Sequence, residues 1–167
     1  RVYGKLETYS PTGSVKDRMV TYVVRKAIES GQITKQTILC EATSGNTGIA
    51  LSAVAASLGL RCVIFMPENM SIERKQMMSI YGSEIIESPA SDFDAAIEMR
   101  NQFLKNTPSS WSPMQFSNRD NIECHMNETA HEICSGTAEA RKECCVQCHK
   151  NCSVAVKDFW MKRKGPL

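Results

Sequence analysis

The chain has 167 residues, of which 42% are hydrophobic and 23% are charged, and both values are close to those of ordinary globular proteins. This length suffices for one domain with its own core, or for a piece of a larger protein. The formal net charge is only +2, so the composition excludes a nucleic-acid-binding footprint, and no apolar run approaches the length of a membrane span.

The chain begins with Arg1 instead of Met, and we expect that its true start is missing. No signal-peptide pattern is visible, so we expect a cytoplasmic protein, with organellar targeting left open. Only three of the eight cysteines lie in the first 130 residues. Two of these, Cys40 and Cys62, fall in apolar runs and are predicted to be free buried thiols. This cysteine usage is typical of an intracellular enzyme.

Short apolar runs alternate with amphipathic stretches along the first 133 residues. Strands are predicted at 2–7, 37–42, 61–66, 84–88 and 111–116, and helices at 17–30, 49–58, 71–81, 92–104 and about 122–133. Ser71 is predicted to cap the third helix, and Gly31, Gly59 and Gly82 follow helix ends. Because the strands are continuous apolar runs, the pattern predicts an α/β fold, with a parallel sheet covered by helices on both faces.

The segment 9–18, Tyr-Ser-Pro-Thr-Gly-Ser-Val-Lys-Asp-Arg, is predicted to be a polar turn that ends where the first long helix begins. Pro11 and Gly13 are turn residues, and Asp17 places negative charge at the helix start, where it is favoured. Lys16 then stands on a fixed corner, which suits covalent attachment of an aldehyde cofactor. Taken by itself, the segment favours the simpler interpretation of a solvated lysine.

Ligands of open parallel sheets bind at loops that leave the carboxyl ends of strands, here 43–48, 67–70 and 117–121. The first of these reads Thr-Ser-Gly-Asn-Thr-Gly and joins a buried strand to a buried helix. Its backbone N–H groups and its two glycines predict a cradle for an anion such as a carboxylate. The loop matches neither the P-loop nor the dinucleotide fingerprint, and a tight packing corner is an equally good interpretation.

Residues 10–18 and 43–48 together resemble the cysteine synthase (O-acetylserine sulfhydrylase) and cystathionine β-synthase family, which are pyridoxal-phosphate enzymes of fold type II. The resemblance continues through Met-Pro at 66–67, Glu-Arg-Lys at 73–75, 81–86 and Gln-Phe-Ser-Asn at 115–118. It covers roughly the first four fifths of the chain, and the order and spacing of the two lead motifs are highly specific. It implies that the chain corresponds mainly to the smaller, N-terminal domain of that fold.

The resemblance also implies roles for seven residues. Lys16 would form the Schiff base with pyridoxal phosphate, and Asn46 would hydrogen-bond the 3-oxygen of the cofactor. Thr43, Ser44, Gly45 and Thr47 would bind the carboxylate of the amino-acid substrate. Gln115, expected at the end of a separate strand, would add a donor to the same carboxylate. No metal is implied.

The implied reaction is a β-replacement that forms cysteine from O-acetylserine, or another activated serine, and sulfide. Lys16 would remove the α-proton, the β-substituent would leave, and a sulfide or thiol would add. Cystathionine β-synthase and serine or threonine dehydratase are the alternatives, and cysteine synthase is preferred because no haem-binding or regulatory segment is visible. The family also implies a homodimer that acts on small molecules, and the composition predicts no nucleic-acid or membrane partner.

The family pattern ends after Ile133, which divides the chain into an incomplete enzyme-like region at 1–133 and a cysteine-rich, irregular tail at 134–167. The glycine-rich loop for the cofactor phosphate is missing, so we expect weak activity, or none, from the chain alone. A silent isoform that binds a complete subunit is one alternative. Zinc bound by the tail, at Cys144–Cys152 with His149, is another, although a splice or frame change explains the tail better. His125 and His131 are predicted to be surface residues.

Overall fold

The computed structural model of the chain describes residues 4–136, which divide into two compact units. The larger unit is Glu7–Met114, and the smaller comprises the described residues 4–6 and 115–136. The tail beyond residue 136, with its zinc hypothesis, lies outside the described residues, and the boundary expected after residue 133 stays a prediction. No helix in the described part of the chain is long and apolar enough to cross a lipid bilayer.

The larger unit is built around a four-stranded parallel sheet with the strand order β3-β2-β1-β4. Its elements are a 3₁₀ turn (Glu7–Tyr9), α1 (Lys16–Glu29), β1 (Ile38–Ala42), α2 (Asn46–Leu58), β2 (Cys62–Pro67), α3 (Ile72–Ile80), β3 (Glu84–Ser88), α4 (Phe93–Asn106) and β4 (Ser110–Trp111). The predicted α/β fold with a parallel sheet is confirmed.

Helices cover both faces of this sheet, and successive strand residues alternate between the two faces. Leu39 and Ile64 pack with α1, α2 and α3 on one face. Cys40, Val63 and Phe65 pack against α4 on the other face. The ring centroids of Phe65 and Phe103 are 5.6 Å apart. Both core clusters are apolar, so burial of hydrophobic surface holds the three layers together.

A buried ion pair joins β1 to α4. Arg100 Nη1 lies 2.8 Å from Glu41 Oε1, and their side chains are only 7% and 1% exposed. The same nitrogen lies 3.3 Å from the Ser112 hydroxyl oxygen, and the Ala42 N–H donates to Glu41 Oε1 over 2.8 Å. Buried charges need such partners, because desolvation of each ion costs several kcal/mol.

Two local predictions differ from the structure, one for a strand and one for a helix cap. The strand expected at 2–7 is absent from its described part, because residues 4–6 have no regular structure and the 3₁₀ turn begins at Glu7. Glu7 binds Arg18 Nε over 2.7 Å instead of extending a strand. Ser71 occupies the N-cap position of α3, as predicted, but its side chain makes no capping hydrogen bond to a backbone N–H.

The smaller unit contains a continuous helical run formed by α5 (Arg119–Cys124), a π-helical segment (His125–Thr129) and α6 (Ala130–Gly136). The last predicted helix is therefore present but begins earlier. His131 is exposed as expected, whereas His125 is only 2% exposed, so its surface assignment was wrong. The π-helical turn brings the His125 ring nitrogen Nδ1 within 3.0 Å of the buried Thr129 hydroxyl, which satisfies that polar atom inside the protein.

The free thiols of Cys40 and Cys62 are both buried, as predicted. Burial, with the negative charge of Glu41 as a second cause, raises the pKa of the Cys40 thiol to about 12. Burial raises the pKa of the Cys62 thiol to about 11, although hydrogen bonding with Ser83 and Ser52 opposes the shift. Both thiols therefore stay neutral in the folded protein at neutral pH.

Replacement of Arg100 by Met leaves the Glu41 carboxylate buried without its cation, and we expect the free energy of unfolding to fall by about 3–5 kcal/mol. Urea unfolding followed by circular dichroism measures the loss. Arg61→Met is the matched control, because Arg61 and Glu84 are exposed and 3.7 Å apart, and such pairs contribute less than about 1 kcal/mol. Adding Glu41→Leu to Arg100→Met should recover much of the loss; a double variant as unstable as the single one would contradict this explanation.

The two raised thiol pKa values predict a loss of stability at alkaline pH. Above the ordinary pKa of 9.0 the thiols ionise in the unfolded chain but stay protonated in the folded one until about pH 12 for Cys40 and 11 for Cys62. Each thiol therefore contributes its full stabilisation of the folded state below pH 9. Above pH 9, each thiol lowers the free energy of unfolding by about 1.4 kcal/mol per pH unit. Urea unfolding measures how far the free energy of unfolding falls between about pH 8 and pH 10.5. This fall should be about 2 kcal/mol smaller in Cys62→Ala than in the wild type. Equal decreases would show that Cys62 does not titrate in this way.

Candidate functional site

Lys16 is the first residue of α1, and the turn before it is fixed by hydrogen bonds. The Gly13 N–H donates to the Ser10 carbonyl over 2.8 Å, with Gly13 at φ +81°, where a glycine is favoured. Thr12 donates its N–H to Asp17 Oδ2 over 2.9 Å and its hydroxyl to Oδ1 over 2.5 Å. Asp17 therefore does more than complement the helix dipole, because its carboxylate holds the turn closed.

The Lys16 side chain is half-buried, and its backbone N–H donates to the Ser14 hydroxyl oxygen over 3.2 Å. Among residues 4–136, no carboxylate forms an ion pair with the Lys16 ammonium. The predicted fixed corner is therefore present, and it presents an amine that is not committed to a structural salt bridge. Such an amine is available for reaction with a carbonyl compound.

The loop 43–48 leaves β1 and turns directly into α2, which begins at Asn46, three residues earlier than expected. The side chains of Thr43 and Thr47 are buried, whereas Ser44 and Asn46 are exposed. The loop leaves β1 beside β4, where the order of the strands reverses. This is the position at which open parallel sheets bind ligands.

Backbone hydrogen bonds inside the loop decide which amides remain for a ligand. The Thr43 N–H donates to the Phe65 carbonyl over 3.0 Å, which anchors the loop to β2. The Gly45 N–H donates to the Thr43 hydroxyl oxygen over 3.2 Å, and the Gly48 N–H donates to the Gly45 carbonyl over 2.8 Å. In the described part of the chain the N–H groups of Ser44 and Asn46 have no acceptor. These two amides are the donors that could meet an anion.

Glycine is required at positions 45 and 48 of the loop for different structural reasons. A Cβ added at Gly48 would lie 2.8 Å from both Met78 Cε and Thr43 Cγ2, so Gly48 is required by packing. A Cβ at Gly45 would lie 3.1 Å from Arg74 Nε and 3.3 Å from Arg74 Cζ, so the guanidinium of Arg74 lies against the loop. Gly48 is therefore explained by the packing of apolar groups, whereas Gly45 leaves room for a charged side chain beside the loop.

Arg74 is a residue of this site that the reading of the sequence did not assign. Its Nη1 donates to the Ser44 carbonyl over 3.1 Å, across 30 residues of sequence. The sequence signal for Arg74 is the Glu-Arg-Lys segment at 73–75, which belongs to the family resemblance. This resemblance does not assign a role to Arg74. Among the described residues, no group of three or more His, Cys, Asp or Glu side chains could hold a metal ion.

Gln115 does not lie at the end of a strand, contrary to expectation, because β4 ends at Trp111 and Gln115 begins a turn. It belongs to the smaller unit, where its carbonyl accepts a hydrogen bond from Asn121 Nδ2 over 2.9 Å. Its proposed contact with a substrate carboxylate stays a prediction. The larger unit contains the other six predicted residues, and α1 and α2, which begin at Lys16 and Asn46, pack against one another.

The loops 67–70 and 117–121 are held by internal contacts. After β2, Asn69 forms two hydrogen bonds of 2.9 Å with Ser91, which has the unusual φ of +60°. Lys75 Nζ also lies 2.6 Å from Glu87 Oε1. Before α5, Asn118 Oδ1 accepts from the Asp120 N–H over 2.9 Å and caps the helix. These contacts hold Asn69 and Asn118 without a ligand.

Comparison with known proteins agrees with the motifs. The profile of a family described as "Pyridoxal-phosphate dependent enzyme" matches residues 1–149. A cysteine synthase of a Flavobacterium species is 42% identical over 133 residues, which are 79% of this chain and 43% of that protein. A solved O-acetylserine dependent cystathionine beta-synthase from Helicobacter pylori is 38% identical, with a TM-score of 0.77 over 80% of this chain and 44% of its own.

A hydrogen sulfide-producing enzyme from Fusobacterium nucleatum is also similar. It is 42% identical, with a TM-score of 0.80 over 84% of this chain and 43% of its own. The chain therefore spans less than half the length of each of these relatives.

Gly48→Ala is expected to lower the free energy of unfolding by about 1–3 kcal/mol, because the new methyl group overpacks the contact with Met78 and Thr43. Gly4→Ala is the control, since a Cβ at Gly4 meets nothing within 4 Å, and it should leave stability almost unchanged. Urea unfolding compares the two variants. Equal stability of Gly48→Ala and the wild type would mean that the contact relaxes without cost, and the glycine would then need another explanation.

Proposed function

Because the chain belongs to the family of pyridoxal-phosphate dependent enzymes, we propose that it carries the lysine corner and the carboxylate loop of a cysteine synthase. The proposed reaction is the β-replacement of O-acetylserine, or of another activated serine, by sulfide. The observation that carries this proposal is Lys16, a half-buried residue on its fixed turn, in the same unit as the exposed residues Ser44 and Asn46 of the loop 43–48.

The residues present fit three groups of the cofactor and substrate: the cofactor aldehyde, its ring oxygen and the substrate carboxylate. Covalent attachment of the cofactor through its aldehyde requires a primary amine that is not held in a salt bridge, and Lys16 supplies such an amine. The Asn46 side chain is exposed at the start of α2, where it could donate to the ring oxygen of the cofactor. The amides of Ser44 and Asn46, together with the positive end of the α2 dipole, suit a carboxylate.

When bound, pyridoxal phosphate supplies an electron sink for the charge that develops at the substrate Cα. The chain's own residues would do the rest. The loop 43–48 would hold the substrate carboxylate and thereby direct the Cα–H bond, because orientation of a reacting group lowers the barrier. Lys16 Nζ would hold the cofactor and, once the substrate amine has displaced it, accept the α-proton.

The alternatives differ in the step after proton removal. A dehydratase would release the product of elimination, whereas a synthase would add sulfide or a thiol. The relatives named cysteine synthase favour replacement, and cystathionine β-synthase remains the second candidate because a solved relative bears that name. An isoform that acts only by binding another subunit is not favoured, since the similar proteins are enzymes. A homodimer and sulfide as the second substrate are part of the proposal.

The test uses covalent labelling, because we expect the 167-residue chain alone to have weak activity. The chain is incubated with pyridoxal phosphate, reduced with borohydride and mapped by mass spectrometry. Lys16 should carry about tenfold more label than a surface lysine such as Lys35, because its position is fixed. Lys16→Met should remove this label, and Lys35→Met should not. Similar labelling of Lys16 and Lys35 would contradict a specific cofactor site.

A further inference from the structure

Arg74 lies in the first turn of α3 and reaches across to the loop 43–48. Its Nη1 donates to the Ser44 carbonyl over 3.1 Å. Its Nε and Cζ lie 3.1 and 3.3 Å from the position that a Cβ of Gly45 would occupy. The flat guanidinium therefore lies close to the Ser44–Gly45 peptide, and the absence of a side chain at Gly45 makes this approach possible.

The charge of Arg74 is not used in a structural salt bridge. Among residues 4–136 no carboxylate forms an ion pair with it, and its side chain is exposed. The other basic residue of this turn is used differently, because Lys75 Nζ pairs with Glu87 over 2.6 Å and donates to the Glu68 carbonyl over 2.5 Å. Arg74 thus keeps its positive charge and further N–H donors beside the loop.

We propose that Arg74 is a positioning residue for the carboxylate-binding loop, and this rests on the proposed function of that loop. The hydrogen bond to the Ser44 carbonyl holds one side of the Ser44–Gly45 peptide. The Thr43 hydroxyl holds the other side, since it accepts from the Gly45 N–H over 3.2 Å. A peptide held from both sides keeps the neighbouring amides of Ser44 and Asn46 in one orientation.

Arg74 also makes the loop more favourable for an anion. The Thr43 and Thr47 side chains are buried, so the exposed groups of the loop are neutral donors. A nearby guanidinium adds a full positive charge, and hydrogen bonds polarise one another when a charged donor is part of the chain. The substrate class that this arrangement would recognise is an α-amino acid bound through its carboxylate.

The experiment compares Arg74→Met and Arg74→Lys with Arg61→Met in the full chain. Arg61 is exposed and lies just before β2 begins, whereas the loop follows the end of the neighbouring parallel strand β1. Arg61→Met therefore removes the same charge at the other end of the strands. In the protein without ligand, we expect exchange of the Gly45 amide hydrogen to be about tenfold faster in Arg74→Met and unchanged in Arg61→Met. Two-dimensional NMR measures this rate and the unfolding midpoint verifies that each variant is folded.

The same spectra follow titration with L-serine as the carboxylate probe. We expect Arg74→Met to bind L-serine about tenfold more weakly than the wild type, because the Ser44 and Asn46 amides lose their fixed orientation and the loop loses the positive charge beside it. Arg74→Lys keeps a donor and the charge and should retain most of the affinity. Arg61→Met should bind like the wild type.

Three results would overturn the inference. These are an unchanged Gly45 exchange rate in Arg74→Met, the same change in Arg61→Met, and equal L-serine affinities of Arg74→Met and the wild type. If the wild type does not bind L-serine but Gly45 exchange still responds to Arg74→Met, the carboxylate function of the loop fails and the positioning contact stands. The two failures are therefore distinguishable.

Discussion

The buried ion pair between Glu41 and Arg100 is the interaction on which the geometry of the larger unit depends. Glu41 lies in β1, two residues before Thr43, and the pair joins the end of β1 to α4. Helix α4 covers the opposite face of the sheet from the three other helices. Arg100 also reaches Ser112, whose hydroxyl accepts from the Met114 N–H over 3.2 Å. One guanidinium therefore fixes the ends of β1 and β4, the two strands between which the strand order reverses. The loop 43–48 directly follows the end of β1 that this pair holds.

The fold was largely predictable from the sequence because its signals are local. The amphipathic period of α1 and α4 and the apolar runs of β1, β2 and β3 each lie within one short segment, so their elements were found with small boundary errors. Three features depend on distant residues and were missed. Residues 4–6 form no strand, β4 is limited to two residues, and a π-helical turn buries His125. No periodicity in a single segment encodes these outcomes.

The candidate site shows the same division between local and distant information. The lysine turn and the loop 43–48 are contiguous motifs, so their residue types could be read directly. The contact of Arg74 with Ser44 spans 30 residues of sequence, and it exists only because α2 and α3 pack on the same face of the sheet. The hydroxyl of Thr43, to which the resemblance assigns a part in binding the substrate carboxylate, also accepts from the Gly45 N–H. Such hydrogen bonds within a loop are visible only in three dimensions.

A loop of this composition can serve packing and binding together, and the structure separates the two contributions. Thr43, Thr47 and Gly48 are buried, and Gly48 is explained by its contact with Met78. These residues would be needed even in a corner that binds nothing. Ser44 and Asn46 are exposed and leave their amides without acceptors among the described residues, which a packing corner does not require. Free N–H groups at the start of a helix attract anions, so the proposed binding role depends on Ser44 and Asn46. The buried residues of the loop determine where these two exposed residues lie.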